Sequence, residues 1–110
     1  MRKLITGDLF AFARVIKASG IRDELVAYLQ KLNADSDKEQ VGMTTILMIL
    51  EALSDKNAEN AFYDAVKDIF EVEDVQSLPP SELFAYFKQM AEENDLPNFF
   101  NSLFGGLGKN

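Results

Sequence analysis

VGMTTILMILEAL, from Val41 to Leu53, is the most apolar run in the chain, and its reading decides the fold. Wound into a helix, Val41, Met43, Ile46, Leu47, Met48, Ile49, Leu50 and Leu53 occupy most of the circumference instead of a single stripe. A helix apolar on nearly every side needs neighbours on nearly every side. The run is too short to cross a bilayer and has Glu51 inside it, so a core helix is expected, not a membrane segment. With the helical periodicity of the flanking stretches it predicts an all-α protein. That protein is a single compact domain of about five helices around this central helix, with a short C-terminal amphipathic segment. Residues 1–95 form the helical domain and residues 96–110 an aromatic and glycine-rich tail. An aspartate at Ile46, Leu47 or Leu50 is then expected to unfold the domain by burying an unpaired charge.

Upstream of the run, NADSD (Asn33 to Asp37) reads as a polar linker, and Ser36 with Glu39 has the spacing of a capping box. Thr44 and Thr45 are expected to return their hydroxyls to carbonyls one turn back, a structural role. Downstream, Ser54 and Asp55 break the pattern before a helix from about Lys56 to Phe70. Its apolar face is Ala58, Ala61, Phe62, Ala65, Val66 and Ile69, and the alanines admit close approach of another helix, expected to be the 41–53 segment. Glu59, Asp64 and Asp68 form an acidic ridge whose simplest role is a solvated face, with cation or basic-peptide binding as the sharper ones.

EVEDVQSLPPS, from Glu71 to Ser81, is the clearest loop. Pro79 holds Leu78 extended, and Pro80 is suited to open a helix. The next apolar positions are Leu83, Phe84, Phe87, Met90 and Ala91, and the helix ends at Glu92, Glu93 and Asn94, where acidic residues oppose its dipole and predict fraying or binding. In LPNFFNSLFGGLGKN, Leu96, Phe99, Phe100, Leu103, Phe104 and Leu107 keep helical spacing until Gly105 and Gly106, where a helix is expected to stop. This tail either folds back on the core or docks to a partner.

At the other end, MRKLITGDLFAF starts basic and then apolar, but Asp8 and Arg14 interrupt any leader-like region, so a mature intracellular protein is expected. Thr6 and Asp8 offer oxygens to a helix start. Leu9, Phe12, Ala13 and Ile16 share one face; Phe10 and Val15 lie off it, either widening the buried side or serving as contacts. Ser19 and Gly20 close the helix. A second helix runs to about Leu32 through Ile21, Leu25, Tyr28 or Leu29. The corner between them resembles a helix-turn-helix, but the second helix lacks the polar and basic start that reads bases.

The chain has 110 residues with no cysteine and no histidine, which removes disulfides, Cys or His metal sites and the usual proton shuttle near neutral pH. Residues 1–34 hold six Arg or Lys against three Asp or Glu, and residues 35–110 hold five against fifteen, for a net charge of −7. Such a chain repels nucleic acid. The acidic part suits a basic partner, while the weakly basic N-terminal part suits an acidic surface, its own second half included. GGLGK (Gly105 to Lys109) lacks the phosphate-loop pattern and its following helix. EVED lacks the spacing and glycine of a calcium loop. Asp35/Asp37 and Glu92/Glu93 mark no shielded cleft. No catalytic residue, cofactor or metal is expected, and neither is a nucleic-acid or membrane partner.

The order of three segments carries a resemblance: MRKLITGDLFAFARVIKASGI, then VEDVQSLPPSELFAYFKQMAEEN, then a short phenylalanine-rich end. In an acidic helical chain of this length they resemble the tail assembly chaperones of long-tailed bacteriophages, especially those of Gram-positive hosts. The resemblance implies a helper in the host cytoplasm, absent from the mature virion, that holds the tape measure protein soluble and promotes tail tube assembly. Tape measure proteins are long helical chains with apolar faces that associate prematurely. Phe84, Phe87, Phe99, Phe100, Leu103 and Phe104 are the expected partner contacts. The family also implies a longer form made by ribosomal frameshifting, and Gly108, Lys109 and Asn110 permit the codons GGA AAA AAC with their slippery heptamer. The implied partners are the tape measure protein, the tail tube protein and that longer form, with self-association open through residues such as Phe10, Val15 and Phe84. The alternative is an acidic helical interaction or regulatory module that masks a basic partner.

Overall fold

The apolar periodicities become six α-helices in a computed structural model that describes residues 1–33 and 35–108, with side-chain environments as far as Gly105. They are α1 (Thr6–Ser19), α2 (Arg22–Gln30), α3 (Lys38–Glu51), α4 (Lys56–Phe70), α5 (Pro80–Glu93) and α6 (Leu96–Gly108), with one 3-10 turn, Val75–Ser77, in the loop before α5. The protein is all-α and a single domain; its radius of gyration, 13.2 Å, is that of one packed unit of this length. Leu107, Lys109 and Asn110, which the sequence reading uses for the tail stripe and the slippery codons, lie outside the described side chains.

Local chemistry sets the ends. The Asp8 carboxylate accepts the Ile5 N–H at 2.8 Å and caps α1 by reaching back, while Thr6 is exposed. Gly20 closes α1 at φ 71°, where its N–H reaches the Ile16 carbonyl. Asp55 caps α4 through the Ala58 N–H. At α3 the cap is Asp37, which accepts from the Glu39 and Gln40 amides, and not Ser36, whose hydroxyl oxygen instead accepts the Asn33 N–H inside the linker. The Thr45 hydroxyl donates to the Val41 carbonyl at 2.9 Å, one turn back as expected.

The interior is aromatic. Phe12, Phe62, Phe70, Phe87 and Phe100 are all fully buried. Phe12 meets Phe100 edge to face at 5.6 Å, Phe87 meets Phe62 at 5.9 Å, and Phe70 stacks on Tyr86 at 4.9 Å. The small face of α4 packs chiefly on α1, not on the Val41 to Leu53 helix as expected from its alanines.

The enclosure on every side expected of that apolar run needs correction. Within α3, Val41, Gly42, Thr45, Ile46 and Ile49 are buried against α5 and α6, but Gln40, Leu47 and Glu51 look outward. Leu47 is 40% exposed. A domain this small has too little interior to surround one helix completely. The end of α5 is capped: the Asn94 backbone N–H and side-chain amide both donate to the Met90 carbonyl at 3.1 Å. Gly105 continues α6 where a stop was expected, because that helix is held by tertiary packing of Leu96, Phe100, Leu103 and Phe104.

Candidate interaction surface

Of the six expected contacts, Phe87, Phe100, Leu103 and Phe104 are core residues in this conformation. They sit on the inner faces of α5 and α6, and the chain's own helices already cover them. Phe99 is half-buried, with its ring 5.7 Å from Phe12, and it lines an open cleft of about 410 Å³ with Leu4, Ile5, Leu9, Asn94 and Asn98. Phe84 is 43% exposed. The tail reading thus resolves toward folding back, with Phe84 and part of Phe99 left facing outward.

The other exposed large apolar residues are Phe10 at 59%, Ile5 at 58% and Leu47 at 40%. The pattern signals Phe10, which stands off the α1 stripe, but gives no sign of Leu47, which hides inside a uniformly apolar run.

Leu47 and Phe84 stand on two helices that pack on each other, α3 and α5. A Cβ added to Gly42, in the first turns of α3, would stand 3.4 Å from the Ala91 side chain near the end of α5, and Lys38 reaches Asp95 at 3.1 Å. The two helices therefore run in opposite senses along each other. Val41 faces a cleft with Leu29 and Pro97, so one flank of α3 looks toward α2 and α6. Half-buried Met43 and Leu50 lie on the other flank, and Leu47 stands beyond them on the outward side with Gln40 and Glu51. On α5, Tyr86 takes the flank toward α4, whereas Phe84 stands two turns before Ala91 and shares its flank toward α3. Leu47 and Phe84 are thus exposed apolar positions on two neighbouring helices. Glu39 and Glu51 on α3 and Lys88 and Glu92 on α5 have no ion-pair partner among the described residues.

Two charged contacts elsewhere hold the fold. Arg2 grips Asp8, 4% exposed, through two bonds of 2.8 and 3.0 Å, and the bond to Asp8 holds the guanidinium above its ordinary pKa. Partial burial pushes the Asp95 carboxyl up, but the Asn98 N–H and Lys38 together outweigh it and hold Asp95 below its ordinary value. Among the described residues no three carboxylates converge as a metal would need, and every buried side-chain polar atom has a partner. No helix among them is long and apolar enough to cross a membrane.

Compared with protein-family models, with curated proteins and with solved structures, the chain matches none. The surface chemistry therefore carries the functional reading: an acidic helical domain that leaves Ile5, Phe10, Leu47 and Phe84 exposed.

Proposed function

We propose that this chain is a bacteriophage tail assembly chaperone, which binds the tape measure protein in the host cytoplasm, keeps it soluble and promotes tail tube assembly without entering the virion. The observation that supports this most is the pairing of exposed Leu47 and Phe84 with a net charge of −7. Exposed apolar side chains on α3 and α5 cover the apolar face of a client helix, and the chain's excess of carboxylates keeps the complex dispersed. The role is binding and not catalysis, and Phe84 and Phe99 are the retained contacts among the aromatic residues of the last third.

The excess of carboxylates in residues 35–110 favours a second reading, an acidic module masking a basic partner. Gene context separates the two: a neighbouring gene for a very long helical tape measure protein supports the chaperone, and a neighbouring DNA-binding or nuclease gene supports masking. The direct test is co-expression with the tape measure protein followed by purification. The expected result is a stable complex and a client that precipitates when expressed alone. Folded partners that stay separate at all salt concentrations, with the tape measure protein soluble by itself, overturn the reading.

A further inference from the structure

Among the described residues, α2 is held to the domain without polar bonds to any other element. Its backbone bonds are local, and its one ion pair, Arg22–Asp23 at 3.8 Å, lies within the helix. By contrast, the Arg2 and Leu4 N–H groups donate to the Ile69 carbonyl and the Asn94 side chain, and Lys38 of α3 pairs with Asp95. What holds α2 is apolar. Ile21, Leu25 and Leu29, spaced four apart, are buried, and the helix packs chiefly on α6, where the Arg22 guanidinium stands 5.8 Å from the centre of the Phe104 ring.

The seam between the two helices is open along its length. A cleft of about 320 Å³ lies between Arg22, Val26 and Gln30 of α2 and Asn101 and Phe104 of α6. A second, of about 270 Å³, shares Leu29 and Asn101 with the first and continues to Leu32 and Pro97. Nine residues are also too few for a helix that stands alone. Few cross-bonds, an open seam and a short length mark an element that detaches at a lower free energy than the whole domain unfolds.

We propose that α2 is a strap that releases from α6 while the other helices stay folded, and that an apolar-faced helix of the client takes its place. The chemistry of that occupant is read from α2 itself: apolar residues four apart, with a cation beside them to lie over the Phe104 ring. Release uncovers Phe104, which is 9% exposed with the strap in place, so a contact position that packing has made interior becomes available again. The choice of occupant rests on the tail-assembly reading; the release of α2 does not.

Hydrogen exchange of the wild-type chain, followed by NMR at low urea concentrations, tests the release. Amides 25–31 are expected to exchange together, roughly tenfold or more faster than those of the α4 core. Exchange of α2 at the α4 rate overturns the proposal. Val26→Cys with Asn101→Cys, in a chain that has no other cysteine, lets a reducible bis-maleimide pin the strap across the first cleft. Pinning lowers the open fraction and the apparent affinity by the same factor, so tape measure capture is expected to drop roughly tenfold or more and to return on reduction. Circular dichroism before and after reduction checks that the fold is kept. A pinned chain that captures the client as well as the reduced one overturns the replacement of α2 by a client helix and leaves the chaperone reading standing. A wild-type chain that releases α2 but captures no client overturns the chaperone reading and the occupant with it; dimer formation in its place assigns the uncovered face to a second copy.

Discussion

Gly42 of α3 lies so close to Leu96 of α6 that a Cβ on the glycine would stand 2.9 Å from the leucine Cδ1 and 3.1 Å from its Cβ. The glycine allows three helices to meet, since Ala91 of α5 closes the same spot. Alanine in a helix is favoured over glycine by about 1 kcal/mol, but overpacking a filled interior costs roughly 1–3 kcal/mol. Gly42→Ala is therefore expected to lose about 1 kcal/mol net, read from the shift of the urea midpoint at unchanged slope.

Neighbouring positions on α3 should respond in opposite ways. Ile46 has no exposure, so Ile46→Asp buries an unpaired carboxylate and is expected to abolish the cooperative melt. Leu47→Asp places the charge in water, and its melting curve should stay cooperative, within about 1 kcal/mol of wild type. Equal damage from the two substitutions refutes the outward placement of Leu47.

Leu96, Phe100, Leu103 and Phe104 of α6 are part of the core. A chain ended at Asp95 loses Leu96, Phe100 and Leu103 from the core, side chains worth about 1.5–3 kcal/mol each when buried. That sum rivals a whole domain's margin of roughly 5–15 kcal/mol. The shortened chain is expected to keep some helix by far-ultraviolet circular dichroism while losing dispersed methyl signals in its proton NMR spectrum.

Asp8 joins Arg2 and the Ile5 N–H in a nearly closed site. Asp8→Ala strands both donors and is expected to cost about 1–3 kcal/mol in chemical denaturation. Arg2→Ala should cost less, since that side chain is partly in water and its loss leaves the carboxylate bonded to the amide.

The pH dependence of Asp95 has a defined sign. Its folded pKa lies below the ordinary 3.8, so the folded state binds fewer protons there than the unfolded chain. The stabilisation is present above pH about 4 and disappears as the pH falls through the lowered value. Because the carboxylate is partly exposed, Asp95→Asn should cost less than about 1 kcal/mol at pH 7. Denaturation curves of the two proteins should converge near pH 2.

The all-helical class and several element ends were legible because they rest on local chemistry. The Lys56–Phe70 helix was readable from the break at Ser54 and Asp55 and an apolar face alternating with charge, and the end of α1 from the left-handed backbone that Gly20 allows. The orientation of α3 was not readable, since a run with apolar side chains all round contains no polar stripe to say which side meets water. Phe10 and Val15 both stand off the α1 stripe, yet one is exposed and the other buried, a difference settled by α1's neighbours and not by its spacing. The same holds for the aromatic last third, where composition suggested a contact surface and the packing of α6 made most of those rings interior. Gly105 inside a helix shows tertiary contacts overruling local preference.

The Leu4 N–H donates to the Asn94 side chain across 90 positions of sequence, and the Phe12 ring rests on Phe99 and Phe100. The face of α1 is thus shared: α4 supplies most of its packing, and α6 covers the Phe12 ring. A chain that has joined α1 to α4 but not yet docked α6 still shows that ring to water, a state open to association with other chains. Contacts distant in sequence, and not neighbouring helices, close this core.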